Sequence, residues 1–118
     1  MFTESQMDRV FAALSHASRR AMLDLLHERP GQSVGEIARN FDVTRIAVMN
    51  HLKVLEDAQL VISEKDGRAR RLYMNAVPIQ AIHERWTDKF SAHWLDRMSL
   101  IKAAAEAAAR TSKKEPDA

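Results

Sequence analysis

Residues 33–61, SVGEIARNFDVTRIAVMNHLKVLEDAQLV, hold two short amphipathic segments separated by a few residues. Ser33 followed by Glu36 reads as a capping box, and Val34, Ile37, Ala38 and Phe41 form the apolar face of the two-turn helix it opens. Asp42 and Val43 make a tight connection. Thr44 then caps a second helix that continues to about Ala58, with Val48, Leu52 and Leu55 on one stripe. Two short helices joined by so brief a turn predict a helix-turn-helix.

The flanking sequence extends this unit on both sides. Upstream, Thr3 can cap a helix reaching Leu14, with Met7, Val10, Phe11 and Leu14 on one stripe. A further helix from about Ser18 to His27 is expected to bury Met22, Leu25 and Leu26 before Pro30-Gly31 stops it. Downstream, the extended runs Val61 to Lys65 and Arg70 to Asn75 flank Asp66-Gly67, a pair that favours a type I′ hairpin turn. After Pro78, the apolar positions Ile79, Ile82, Trp86, Phe90, Trp94, Met98, Ile101 and Ala105 recur at a mean spacing of about 3.7 residues. They predict one long helix from Ile79 to about Ala109, and the polar residues after it read as a disordered tail. The expected organisation is one domain over 1–109 with a tail over 110–118. Its fold class is mainly α: a winged helix-turn-helix with one small β-hairpin and a long C-terminal helix for dimerisation.

Composition narrows the function. With 118 residues there is room for one domain and a short tail, and 46% hydrophobic against 29% charged residues is an ordinary globular balance. The absence of cysteine removes disulfides, thiolate metal sites and thiol nucleophiles. The opening MFTESQMDRV lacks the charged and apolar blocks of a signal peptide, and no apolar run is long enough to span a membrane, so a cytoplasmic protein is expected. No Ser/His/Asp or paired-carboxylate arrangement is specified and no Gly-rich phosphate loop occurs; neither catalytic residues nor a cofactor are expected. The net charge of +2 points to no partner by itself. Its distribution does, because Lys65, Arg68, Arg70 and Arg71 cluster on the hairpin with Asp66 as the local acid.

The helix opened by Thr44 separates into two faces. At about 100° per residue, Arg45, Met49, Lys53, Ile46 and Asn50 fan across roughly 140°, while Val48, Leu52 and Leu55 lie on the opposite side. Thr44, Arg45, Ile46, Met49, Asn50 and Lys53 are therefore the candidate base contacts in a major groove. Arg45 can pair with guanine O6 and N7, Asn50 with adenine N6 and N7, and Ile46 and Met49 can touch thymine methyls. Lys65, Arg68, Arg70 and Arg71 are the candidate wing contacts to phosphates. His51 flanks the buried stripe and reads as a histidine hydrogen-bonded within the fold. The last helix is too long for its own core, so Trp86, Phe90, Trp94 and Met98, with Phe11 of the first helix, are the candidate dimer interface.

Three segments, VFAALSHASRRAMLDLL (Val10 to Leu26), SVGEIARNFDVTRIAVMNHLKVLEDAQLV (Ser33 to Val61) and KDGRARRLYMN (Lys65 to Asn75), resemble the signature blocks of the ArsR family of bacterial transcriptional repressors. The densest match is IAVMNHLKVLEDAQLV. The resemblance implies a homodimer that binds double-stranded operator DNA and is released, in many members, by a metal ion or another inducer. The chain departs from the family's S-x-P-A-V-S pattern, carrying Ile46 and Met49 where Pro and a small hydroxyl residue are usual, and His16 stands where a helix-opening Asp is usual. It also departs from the C-terminal metal pattern similar to D-x-H, ten residues, H-x-x-E/H. Ala81 takes the Asp position, Trp94 takes the place of the second His, and His93 with Asp96 lies one residue early, so no metal site is expected. The function expected is a homodimeric, sequence-specific repressor at a palindromic operator, with an unidentified inducer possible. A transcriptional activator and a winged helix protein-interaction module are the alternatives.

Overall fold

The computed structural model describes residues 2–87 and 92–114, with the side chains of these except at 92–95 and 112–114. Among the described residues the elements run α1 Glu4–Leu14, α2 Ala17–Glu28, α3 Val34–Ala38, α4 Arg45–Asp57, β1 Val61–Asp66, β2 Ala69–Met74, α5 Val77–Thr87 and α6 Ala92–Lys114. The chain divides into two compact units, one ending at Ile82 and one beginning at His83.

Local signals set the helix starts. Thr3 and Gln6 form a reciprocal capping box on α1: the Gln6 amide donates to Thr3 Oγ1 at 3.1 Å and the Thr3 amide to Gln6 Oε1 at 2.7 Å. Ser33 and Thr44 accept from the Glu36 and Ala47 amides at the starts of α3 and α4. The Ser33 box is only half formed, because the Glu36 carboxylate is turned to Arg71 at 3.7 Å. α2 begins one residue earlier than expected: His16 caps it, Nδ1 accepting from the Ser18 amide at 3.2 Å. This imidazole performs the capping task the resemblance gave to an Asp.

Helix α4 is the centre of the first unit and packs against α1, α2, α3 and β1. Val48, Leu52 and Leu55 join Val10 and Ala13 of α1, Met22, Leu23 and Leu26 of α2, Ile37 of α3 and Leu72 of β2 in the core. On α2 it is Leu23, with Met22 and Leu26, that is fully buried, and Leu25 packs only partly against the core. On α1, Ala13 takes the interior position and Phe11 faces outward, 47% exposed.

The wing is an antiparallel pair whose register runs from Val61 opposite Met74 to Asp66 opposite Ala69. The two-residue loop is therefore Gly67-Arg68, one position later than the Asp66-Gly67 turn the sequence suggests. Gly67 has φ +62°, while Arg68 has no positive φ, so the backbone does not meet the type I′ requirement at both central residues. Asp66 is drawn into the strand, where its carboxylate meets Arg71 Nε at 3.5 Å. A bridge from Gln32 to Leu72 widens the sheet: the Gly31 amide donates to the Leu72 carbonyl and the Leu72 amide to the Gln32 carbonyl, both at 2.9 Å. Gly31 permits it with φ +83°, and a Cβ there would lie 3.3 Å from the Tyr73 hydroxyl oxygen.

Helix is described on both sides of residues 88–91, and it starts earlier and ends later than the Ile79 to Ala109 expected. It begins at Val77, whose amide is capped by Asn75 Oδ1 at 3.2 Å, with Pro78 in the first turn. α5 reaches Thr87, and the residues joining it to α6, including Phe90, lie outside the described residues. α6 continues through Lys114, so Thr111 to Lys114, read as part of a disordered tail, are helical. The Ala-rich run from Ala103 propagates helix strongly, and Thr111 Oγ1 donates back to the Ala107 carbonyl at 3.0 Å.

Candidate nucleic-acid interface

The second helix of the helix-turn-helix is sorted as its periodicity requires. Val48 and Leu55 are fully buried and Leu52 nearly so, while Ile46 is 72% and Met49 51% exposed. Arg45, Asn50 and Lys53 are exposed on the same side. Solvent-facing Ile and Met beside Arg, Asn and Lys make a surface suited to base edges and methyl groups in a groove. Thr44 stands at the leading end, its hydroxyl oxygen accepting from the Ala47 amide at 3.1 Å. Met49, Asn50 and Lys53 form one wall of a cleft of about 370 Å³, and Arg70 and Leu72 of the wing form the other.

The four wing cations have different fates. Lys65 and Arg68 are exposed. Arg70 is exposed as well, and its Nη2 donates to Ser63 Oγ at 2.8 Å. Arg71 is half-buried and tied into the fold: Nη1 lies 3.7 Å from Glu36 and donates to the Gly31 carbonyl at 3.3 Å, while Nε reaches Asp66. Strand alternation sets the two on opposite faces, Arg70 with buried Leu72 and Arg71 with Tyr73. Arg71 braces the wing against α3.

His51 occupies the inner flank of α4. Its ring centroid is 4.6 Å from that of His16, and its Nδ1 is 3.3 Å from Arg19 Nη1. Arg19 is fixed in turn by the Ala13 and Ala12 carbonyls at 2.8 and 3.1 Å. Burial first, then the charges of His16 and Arg19, lowers the His51 pKa from its ordinary value. The neutral ring accepts from Arg19, so this cluster locks α4 to the α1–α2 corner. It was not legible in the sequence, because the three residues meet only in the folded chain.

Other expected sites are placed as follows. Phe11, Trp86 and Met98 present large apolar surfaces, Trp86 being 45% and Met98 61% exposed, and Leu100 and Ile101 of α6 are exposed too. Phe90 and the Trp94 side chain lie outside the described residues. His83 Nδ1 is within 3.3 Å of Thr87 Oγ1 in its own helix. Among the described residues, no group of three or more His, Cys, Asp or Glu side chains converges as a metal site would require. No described helix is long and apolar enough to cross a membrane.

A helix-turn-helix whose second helix exposes Arg, Ile, Met, Asn and Lys, flanked by a basic hairpin, is the arrangement of the winged helix-turn-helix class of DNA-binding proteins. A family model described as a helix-turn-helix domain matches residues 14–64. The chain is 36% identical over 87 residues to the uncharacterized HTH-type transcriptional regulator YuzN of Bacillus subtilis, covering 69% of this chain and 95% of that protein. It is 30% identical over 74 residues to the transcriptional repressor SdpR of the same bacterium, covering 63% and 81%. Among solved structures, an ArsR-like transcriptional regulator from Rhodococcus sp. RHA1 superposes with a TM-score of 0.66 at 33% identity, covering 87% of this chain and 93% of that one. A homodimeric winged helix-turn-helix DNA-binding domain from Mycobacterium bovis, solved by NMR, shares the fold with a TM-score of 0.58 at 24% identity, covering 75% and 84%. The chain belongs to the ArsR family of helix-turn-helix transcriptional regulators, and it is a transcriptional regulator with a helix-turn-helix DNA-binding domain.

Proposed function

We propose that this regulator is a homodimeric repressor that occupies a two-fold operator, α4 of each protomer lying in a major groove and each wing lying along the backbone. The observation that carries this reading is the sorting of α4: Ile46, Met49, Asn50 and Lys53 are all exposed on one side while Val48, Leu52 and Leu55 are buried on the other. Thr44 and Arg45 stand at the leading edge of that face, and Lys65, Arg68 and Arg70 supply cations beside it. A repressing sign is supported by the 30% identity to SdpR, and a dimer by the exposed Phe11, Trp86 and Met98 together with the homodimeric neighbour of the same fold. Residues Phe90 and Trp94 extend the same apolar stripe in the sequence.

Footprinting on the DNA upstream of the protein's own coding region, followed by transcription of that promoter in vitro, tests the proposal. Protection of two half-sites about 10 base pairs or a multiple apart, with falling transcript, is expected. Rising transcript would make the protein an activator, and no protection at low salt would favour a protein-interaction module. Replacing Asn50 by Ala should cost about 1–3 kcal/mol and relax discrimination at one position per half-site.

A further inference from the structure

We infer that Arg45, Arg68 and Arg70 form a single phosphate-holding cleft, and that Arg45 grips the DNA backbone instead of reading a base. The inference rests on the DNA-binding reading above and reassigns one of its residues. A cleft of about 370 Å³ lies between the start of α3, the start of α4 and the wing, lined by Ser33 and Gly35 together with the three arginines. No carboxylate lines it. Among the described residues the Arg45 and Arg68 side chains have no hydrogen-bond or ion-pair partner, and the Arg70 side chain bonds only the Ser63 hydroxyl. Of the acids close by in sequence, Glu36 and Asp66 are engaged by Arg71, and Asp42 and Glu64 do not line the cleft.

Three cations around one concavity repel one another, and a concave wall focuses their field on whatever enters. A bound anion removes that repulsion, and the guanidinium fork matches two oxygens of a phosphate. The cleft next to it, between α4 and β2, contains Glu56 and Asp57 as well as Lys53 and Arg70, so it lacks this one-signed character. Gly35 lines the three-arginine cleft. A Cβ built on it would have Ser33 Oγ, 4.0 Å away, as its nearest neighbour, and its backbone φ is not positive, so a side chain fits there without strain. The ligand is a phosphodiester of the DNA backbone; a free phosphorylated small molecule offers the same chemistry and is separated by the test.

The experiment compares Gly35→Asp with its uncharged counterpart Gly35→Asn, each checked by thermal melting, in binding to operator and to random DNA. Gly35→Asp should lose about tenfold on both DNAs at low salt and Gly35→Asn less than about threefold. Equal losses, or no loss with Asp, would overturn the cleft. Arg45→Ala should reduce the slope of log K against log salt by about 0.9 and leave the ranking of operator point variants unchanged. A relaxed ranking with an unchanged slope would return Arg45 to base reading. Titrating the wild-type protein with inorganic phosphate, observed at the Gly35 amide by NMR, separates the two levels. If no DNA binds yet phosphate shifts this amide, the DNA-binding reading falls and the anion is a free phosphate; if neither binds, the cleft falls too.

Discussion

Gln59 ends α4 in a left-handed conformation, φ +62°, that an L side chain adopts at a cost. Both bonds of a Schellman motif are nevertheless present, from the Leu60 amide to the Leu55 carbonyl and from the Gln59 amide to the Glu56 carbonyl, each at 2.9 Å. Leu55 and Leu60 are buried together beneath the turn, and Asn75 Nδ2 donates to the Gln59 carbonyl at 2.8 Å. Packing and these bonds hold the strained residue. Because Gly relieves the strain and leaves the backbone bonds intact, Gln59→Gly should raise stability by about 0.5–1 kcal/mol in urea unfolding. A loss of stability would show that the chain's added freedom when unfolded outweighs the strain.

At the scale of elements, the wing and α4 are oriented by contacts within the fold. Arg71 links β2 to α3 and to Asp66 of β1 through partly exposed ion pairs, each worth at most about 1 kcal/mol, and to the Gly31 corner by donating to its carbonyl. Arg71→Gln should therefore weaken DNA binding through wing position, leaving the salt slope unchanged, whereas Arg70→Gln should lower that slope by about one. Equal drops in slope would place Arg71 on a phosphate after all. The corner that holds α4 should respond to acid. The His51 pKa is lowered from 6.5 in the folded chain by burial, His16 and Arg19, so below that pH the unfolded chain takes up this proton first. Its contribution to stability is whole above pH 6.5 and is lost as pH falls toward the lowered folded value. His51→Asn keeps an acceptor near Nδ1 and does not titrate, so its melting temperature should fall less than wild type between pH 6.5 and about 5. Parallel curves would remove the cluster from the acid response.

At the scale of the molecule, exposed apolar side chains on both units call for a partner. Phe11 stands on α1, and Trp86, Met98, Leu100 and Ile101 stand on the C-terminal helices; α6 alone has 23 residues and a length of about 34 Å. If they close a two-fold interface, Phe11→Glu and Met98→Glu should each yield monomers by sedimentation and lose the cooperative occupation of paired half-sites. A wild-type monomer at micromolar concentration would remove the dimer from the proposal.

The helix starts at Thr3, Ser33 and Thr44, the two-faced character of α4 and the presence of a hairpin wing are all legible in the amino-acid sequence. Capping and apolar periodicity act within one or two helical turns, so neighbouring residues specify them. The residues that complete the site are separated much further along the chain. Arg71 meets Gly31 across 40 positions and Arg19 meets His51 across 32. The Gln32 to Leu72 bridge spans a similar interval. Which of four similar wing cations is tied down, and which three arginines share a cleft, depends on how strands and helices dock. The sequence determined which segments can form a helix-turn-helix domain with a wing; only the tertiary structure decided which of its charges are tied down, because an ion pair forms where folding brings its partners together.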